Sequence, residues 1–427
     1  MKLHIQGGRL IDPANDTDTQ TDLFISDGKI AAIGQAPAGF QADQVIDASG
    51  QVVCPGLIDL QVRPREPGQK HKGTIASETR AAATSGITTL CCPPDTSPVI
   101  GSSAVVKLIL DQAEDAASAR ILPIGALTSD LKGEQLAELH TLKEAGCVAF
   151  SNARNPIRNT LVMRRAMEYA ASHNLLLFIQ AEDAGLGAGG CVDEGPISIR
   201  MGLNGIPETA ETIEVSRILL LAEQTGARIH FGQLSTAGAV DMIRQAQNKG
   251  LPVTADVAIH HLHLTNMDVS GYHSHCHVRP PLRDQRSQQS LKSGLVTGAI
   301  GAICSDHQPH DADAKLAPFA ETEPGISGLE TLLPLTLRLV DDGTLTMSQA
   351  IASLTAHPAE ILDSHLGQLG PDSVADICIF EPETRWSLSK DNMVSHGCNS
   401  PFFGWDLKGR VSHTIFNGEI VYQKRQG

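Results

Sequence analysis

The sequence predicts an α/β protein, a (β/α)8 barrel with a small discontinuous β-sandwich domain built by both chain ends. Eight short apolar segments recur through the middle of the chain, and helical patterns separate most of them. Both ends are instead typical of short strands joined by turns. We therefore place the barrel domain at residues 54–371 and the small domain at residues 1–53 and 372–427.

The two ends carry the turn signals of β-hairpins. Asp27-Gly28 lies between the apolar segments 23–26 and 29–33, and Asn417-Gly418 lies in a similar position near the other end. Such dipeptides favour the positive φ angles of a two-residue hairpin turn. The ends therefore predict antiparallel strands.

The middle of the chain alternates between strands and helices. Residues 208–223 and 237–248, for example, are typical of helices. We predict strands near residues 57–62, 87–92, 121–126, 147–151, 175–180, 228–233, 252–257 and 300–305. Eight strands with intervening helices favour a closed barrel over an open sheet.

Composition limits the classes of partner. The net charge of −15 argues against nucleic acid and anionic membranes, which need a basic surface. We find no apolar run long enough to span a bilayer. The nine cysteines are scattered and include no CxxC pair, which indicates a reduced, cytoplasmic protein.

Barrel enzymes place their chemistry where the strands end at the carboxyl-terminal face. Four of the residues at these predicted ends are carboxamides, one is a cation and one is a carboxylate: Gln61, Asn152, Gln180, Gln233, Arg63 and Asp306. A hydrolytic zinc site needs imidazole and carboxylate ligands, and arginine has no lone pair to offer. We therefore expect no metal and no cofactor.

Several motifs resemble dihydroorotase of the amidohydrolase superfamily. They are spread over essentially the whole chain and comprise residues 55–60, 65–68, 74–83, 280–283, 305–310, 324–330 and 399–402. The resemblance implies a barrel with a small β-sandwich formed by both termini, in agreement with the strand pattern.

The chain departs from this family where the family binds metal. By the resemblance, the degenerate metal-site positions are Gln61, Arg63, Asn152, Ala153, Gln180 and Gln233. The strand-eight aspartate alone is retained, as Asp306, and in the family it is the general base and a metal neighbour. Asp306 is therefore interpreted as a relic base, with no catalytic residue and no metal ligand assigned.

The substrate-binding positions are also altered. Arg65 and His310 match the residues that grip the substrate carboxylate in the family. Asp95 and Arg279 each stand where the family has asparagine. A carboxylate at position 95 would repel an anionic substrate.

These losses resemble the catalytically inactive dihydroorotase-like subunits that some bacteria pair with aspartate carbamoyltransferase. The resemblance implies a chain that is not an enzyme but a structural and assembly subunit in de novo pyrimidine biosynthesis. Its expected partner is the carbamoyltransferase catalytic subunit, within a large hetero-complex in which this chain forms a homo-oligomer. Two alternatives stay open, an active cyclic amidohydrolase with an unorthodox site and a small-anion sensor that uses Arg65, Arg279 and His310.

Two geometric predictions follow from the barrel. Strands one and eight are neighbours in a closed barrel, so Arg63 should form an ion pair with Asp306, since an unpaired buried carboxylate is costly. Gln61, Gln180 and Gln233 should cross-hydrogen-bond at the mouth. A pocket for a small polar ligand is the alternative explanation of these glutamines.

Overall fold

The computed structural model describes residues 1–424 and confirms the predicted fold class, a mixed α/β barrel beside a sheet formed by both termini. The strands within these residues are β1 (Leu3–Asp12), β2 (Thr17–Ser26), β3 (Lys29–Ile33), β4 (Gln44–Asp47), β5 (Val52–Pro55), β6 (Leu57–Asp59), β7 (Ile87–Cys92), β8 (Arg120–Ala126), β9 (Ala149–Ser151), β10 (Leu176–Ile179), β11 (Val192–Asp193), β12 (Gly205–Ile206), β13 (Arg228–Phe231), β14 (Val253–Ala258), β15 (Ala302–Cys304), β16 (Ile377–Ser387), β17 (Asp406–Phe416) and β18 (Glu419–Gln423).

The α-helices of the same residues are α1 (Ile75–Thr84), α2 (Ser103–Ala116), α3 (Leu139–Glu144), α4 (Thr160–Ser172), α5 (Pro196–Met201), α6 (Glu208–Thr225), α7 (Ala237–Asn248), α8 (Gln285–Thr297), α9 (Leu329–Asp341), α10 (Met347–Ala352) and α11 (Ala356–Ile361). The predicted helices at 208–223 and 237–248 correspond to α6 and α7. Helix starts follow sequence signals, as at α1, where the Thr74 side chain accepts a hydrogen bond from the Ser77 backbone. No helix among the described residues is both long and apolar enough to cross a membrane.

The terminal sheet joins the two chain ends in the order β18-β17-β16-β5-β1-β2-β3, with β4 on β1. The seam is the antiparallel pair β5–β16, in which Val53 faces Ile379. Both predicted hairpin turns are confirmed, because Ser26 pairs with Lys29 and Phe416 with Glu419. The division between the domains at residues 53/54 and 371/372 stays a prediction.

The barrel strands are parallel in the order β6-β7-β8-β9-β10-β13-β14-β15. A single bridge between Val62 and His307, just beyond β6 and β15, brings the first and last strands together. The observed strands lie at the eight predicted places, and several end one to three residues earlier than predicted.

Candidate functional site

The predicted ion pair joins strands one and eight at the barrel mouth, which is the end of the barrel formed by the carboxyl ends of its strands. Arg63 Nη1 is 3.3 Å from Asp306 Oδ1. The two residues are only 5% and 1% exposed. In such surroundings each charge depends on the other, because an isolated buried ion is costly. The Arg63–Asp306 prediction is therefore confirmed.

A second guanidinium that we did not predict also binds Asp306. Arg154 Nη2 lies 3.1 Å from Asp306 Oδ2, and Gln308 Nε2 donates to both carboxylate oxygens at 3.0 Å. Arg154 stands two residues after Asn152, in the strand-four loop. Burial lowers the pKa of Arg154 to about 10, although Asp306 opposes this shift. The sequence places Arg154 near the mouth, but strand periodicity does not predict the loop that directs it inwards.

The negative charge of Asp95 is paired with a guanidinium group at the barrel mouth. Arg63 Nε donates to Asp95 Oδ2 at 2.8 Å. Burial acts to raise the Asp95 pKa, but the Arg63 charge prevails and holds that pKa below its ordinary value. Arg63 therefore bridges Asp95 and Asp306. The repulsion that we expected from Asp95 is offset by this partner.

Only two of the three glutamines that we predicted to cross-hydrogen-bond contact each other. Gln180 Nε2 donates to Gln233 Oε1, as predicted for residues that follow the adjacent strands β10 and β13. Among the described residues, the Gln61 side chain does not take part in this pair, so that part of the prediction is wrong. The Gln61 backbone instead donates to Asp59 Oδ1 at 3.2 Å.

Asn152 and Ala153 shape the loop that follows β9, the fourth strand of the barrel. Asn152 Oδ1 accepts a hydrogen bond from the Thr128 hydroxyl, and Asn152 Nδ2 donates to the Leu131 carbonyl at 3.1 Å. Ala153 has a φ of 48°, which turns the chain sharply before Arg154. These contacts direct the Asn152 amide to the loop that contains Thr128 and Leu131.

Arg65 and His310 contact each other at the mouth, and Arg65 lines the same pocket as Arg63 and Asp95. Arg65 Nη2 lies 3.0 Å from His310 Nε2, and Arg65 Nε donates to the Pro309 carbonyl at 3.0 Å. Burial, reinforced by the Arg65 charge, lowers the His310 pKa to about 2, so this imidazole is neutral near pH 7. Burial also lowers the Arg65 pKa to about 10.

Arg279 is held by a carboxylate that sequence reasoning did not single out. Its Nε donates to Glu182 Oε2 at 2.9 Å, and its Nη2 donates to the Gly187 carbonyl at 3.0 Å. Glu182 follows Gln180 beyond β10. The proximity of the two loops is a tertiary feature with no local signal in the sequence.

Beneath these groups lies a buried carboxyl, Asp59. Its Oδ1 accepts backbone hydrogen bonds from Gln61 and from Ser305, but Oδ2 has no partner among the described residues. Burial raises the Asp59 pKa to about 6. His260 is also buried, and burial, reinforced by the Arg154 charge, lowers its pKa to about 3. Neither group is arranged to supply a metal ligand set.

The residues at the mouth do not fit a hydrolytic metal ion. No group of three or more His, Cys, Asp or Glu side chains in residues 1–424 is arranged to hold one. Arg63 and Arg154 instead place two positive charges on Asp306, where a metal cation would be repelled. The chemistry of this mouth must be derived from its guanidinium, amide and carboxylate groups.

Comparison with known proteins relates the chain to one family. A dihydro-orotase-like family model matches residues 50–239. A dihydroorotase-like protein from Pseudomonas aeruginosa is 48% identical over 99% of this chain and 100% of the relative. A dihydroorotase from Syntrophus aciditrophicus is 43% identical over 99% and 100%. The L-hydantoinase structure from Arthrobacter aurescens has a similar fold, with a TM-score of 0.89 and 24% identity over 99% of this chain and 96% of that one.

These relatives correct one expectation. We predicted from the missing metal ligands that the chain is not an enzyme, and that prediction is contradicted by the Syntrophus relative, which is named as an enzyme and aligns over its full length. The physical error lies in the inference, because losing imidazole ligands removes one way to activate water and leaves others, such as a carboxylate base. With 48% identity over 99% of its length, the chain belongs to the dihydroorotase-like family of the amidohydrolase superfamily.

Proposed function

We propose that this chain is an assembly subunit that binds the catalytic subunit of aspartate carbamoyltransferase in pyrimidine biosynthesis. The observation that carries the proposal is that residues at the barrel mouth form ion pairs and hydrogen bonds with one another. Arg63 and Arg154 form ion pairs with Asp306, and Gln180 donates a hydrogen bond to Gln233. The positions that the resemblance assigns to the family's metal site are thus used for contacts within the chain. A fold kept intact around such a mouth is suited to binding a partner through its outer surface. The partner itself comes from the resemblance of the sequence.

Co-expression with the carbamoyltransferase catalytic subunit tests this role. We expect one complex, larger than either protein alone, to elute on sizing, and we expect carbamoyltransferase activity in that peak. Separate elution at micromolar concentrations of both proteins would contradict the proposal. The copy number of this chain in the complex, measured by light scattering, tests the expected homo-oligomer.

A mouth variant provides a matched control for assembly. Gln308→Met removes the amide that donates to Asp306 and accepts from Arg154 Nη1, and it keeps both guanidinium partners of Asp306. Because Gln308 is only 3% exposed, it is not available to a partner, and the variant should assemble like the unmodified chain. Loss of assembly in a variant that still melts cooperatively would show that the mouth, and not the outer surface, controls association.

Hydrolysis of a cyclic amide is a second candidate, favoured by the name of the Syntrophus relative and by the retained Asp306. Asp306 would take a proton from water as the water oxygen attacks the ring carbonyl, and the guanidinium groups of Arg63 and Arg154 would stabilise the oxyanion that forms. Asp306 would then return the proton to the ring nitrogen as the C–N bond breaks. Both Asp306 oxygens already accept hydrogen bonds, so one donor must move before a proton is taken. Dihydroorotate turnover that disappears in folded Asp306→Asn protein would establish this activity, and it is measurable with or without the partner.

A further inference from the structure

The outer surface of the barrel carries an apolar stripe on helix α6. Ile213 and Leu220 of this helix are 48% and 61% exposed. They stand seven residues apart, about two helical turns, so both side chains lie on one face. The opposite face of α6, which includes Val215 and Ile218, is buried. The outward face of a surface helix is normally polar, so an apolar stripe there indicates a contact surface.

The neighbouring helix α4 extends the stripe. Leu161, near the start of α4, is 53% exposed. Arg217 lies between Ile213 and Leu220 on α6, and its Nη1 donates to the hydroxyl of Thr160, the residue before Leu161, at 3.2 Å. Three large apolar side chains are therefore exposed together on two adjacent helices.

The Arg217 charge at the centre of the stripe is already paired. Its Nε donates to Glu214 Oε2 at 2.8 Å, and its Nη2 donates to the Ile157 carbonyl at 2.8 Å. A strongly acidic or strongly basic partner would thus find no free charge there to attract it. Two copies of this chain can meet at the stripe without placing unpaired like charges against each other, although each copy has a net charge of −15.

The arrangement of residues along α6 is self-complementary. Ser216 lies three residues after Ile213 and four before Leu220, on the same stripe, and its side chain is short. If two copies of α6 cross in antiparallel orientation about a two-fold axis at Ser216, Ile213 of each copy contacts Leu220 of the other. Beside the stripe, Arg165 of α4 and Glu223 of α6 are exposed and of opposite sign. An apolar centre with charged residues around it is typical of protein interfaces.

We propose that two copies of this chain form a dimer through this α4–α6 face, which we define by Leu161, Ile213, Ser216 and Leu220. The contact is isologous, with α6 of each copy on the two-fold axis. The dimer goes beyond the assembly role and needs no carbamoyltransferase, so either proposal can fail without the other.

Sedimentation velocity of the full chain alone, over a range of micromolar concentrations, tests the dimer. We expect a species of twice the mass of the chain. Ile213→Glu and Leu220→Glu should each weaken dimerisation at least about 100-fold, because a two-fold contact would bury the new charge twice. Leu108→Glu is the matched control, since Leu108 is also an exposed leucine on an outer helix, α2, and this variant should dimerise like the unmodified chain.

Three results would overturn the proposal. They are a chain that stays monomeric throughout, a dimer that Ile213→Glu and Leu220→Glu leave unchanged, and a Leu220→Glu protein that still dimerises but no longer binds the carbamoyltransferase. The last result would assign the face to the carbamoyltransferase instead.

A cross-link places α6 on the two-fold axis. In Ser216→Cys protein, diamide should join the new thiols of two copies as a disulfide, and the two electrons and two protons released reduce the diazene to a hydrazine. We expect a covalent dimer on non-reducing gels that neither the unmodified chain nor Ser293→Cys, at an exposed serine of α8, forms. This variant exchanges one oxygen for sulfur, so the test remains if a glutamate variant does not fold by circular dichroism. A chain that sediments as a dimer but does not cross-link through Ser216→Cys would contradict the assigned face.

Discussion

The terminal sheet and the barrel mouth both join segments that are distant in sequence, but different forces hold them together. In the sheet, Val53 faces Ile379 across a seam of apolar, fully paired strands. In the mouth, Arg63 pairs with Asp306, which lies 243 residues further along the chain, and several polar atoms have no hydrogen-bond partner within residues 1–424. The sheet therefore spreads its stability over many small contacts, whereas the mouth concentrates it in a few charges that depend on one another.

The largest expected loss of unfolding free energy comes from a substitution at the barrel mouth. Arg63→Met removes the shared partner of Asp95 and Asp306 and leaves Asp95 without its guanidinium. Breaking a buried ion pair by removing one member costs about 3–5 kcal/mol of unfolding free energy. Urea unfolding measures the loss.

The control for Arg63 is an exposed ion pair in the terminal sheet. Arg385 pairs with Asp406, and both side chains are more than half exposed. Arg385→Met should change the unfolding free energy by only about 0–1 kcal/mol. If the two variants lose the same stability, the contrast between the mouth and the sheet fails.

The difference between the terminal sheet and the barrel mouth also explains which features the sequence could predict. Eight apolar segments and two Asp-Gly or Asn-Gly turns predicted the barrel and the terminal hairpins, because periodicity and turn chemistry are local. The Arg63–Asp306 pair was predictable because a closed barrel makes strands one and eight neighbours. Arg154 and Glu182 were missed as partners, since both stand on loops whose paths depend on the assembled mouth.

Asp59 gives a pH-dependent effect of intermediate size. Burial raises its pKa in the folded protein to about 6, above the ordinary value of 3.8. Protonation is therefore favoured by folding, and the stabilisation is present below about pH 4 and lost as the pH rises through about 6. The full loss amounts to about 3 kcal/mol. In Asp59→Asn, Oδ1 still accepts both backbone hydrogen bonds, so we expect higher stability than the unmodified chain near neutral pH.

Urea unfolding of both proteins at about pH 4 and about pH 7 measures this difference. The advantage of Asp59→Asn should be small at the lower pH and grow at the higher one. Asp111→Asn on the exposed face of α2 is the control and should show no such trend. A constant difference between Asp59→Asn and the unmodified chain would mean that Asp59 does not titrate in this range.

The smallest effect concerns the two hairpin turns of the sheet. Gly28 and Gly418 both have a φ of 77°, and a Cβ on Gly418 would lie 2.6 Å from Gly28 Cα, so the turns pack backbone against backbone. Gly50 has a similar φ of 76° with no atom near its Cβ position. Gly50→Ala should cost only the left-handed backbone penalty of about 1–2 kcal/mol. Gly418→Ala should cost more, because the turns must also separate. Equal losses in melting temperature would show that the turns move apart freely, and the terminal sheet would then be less tightly joined than the mouth.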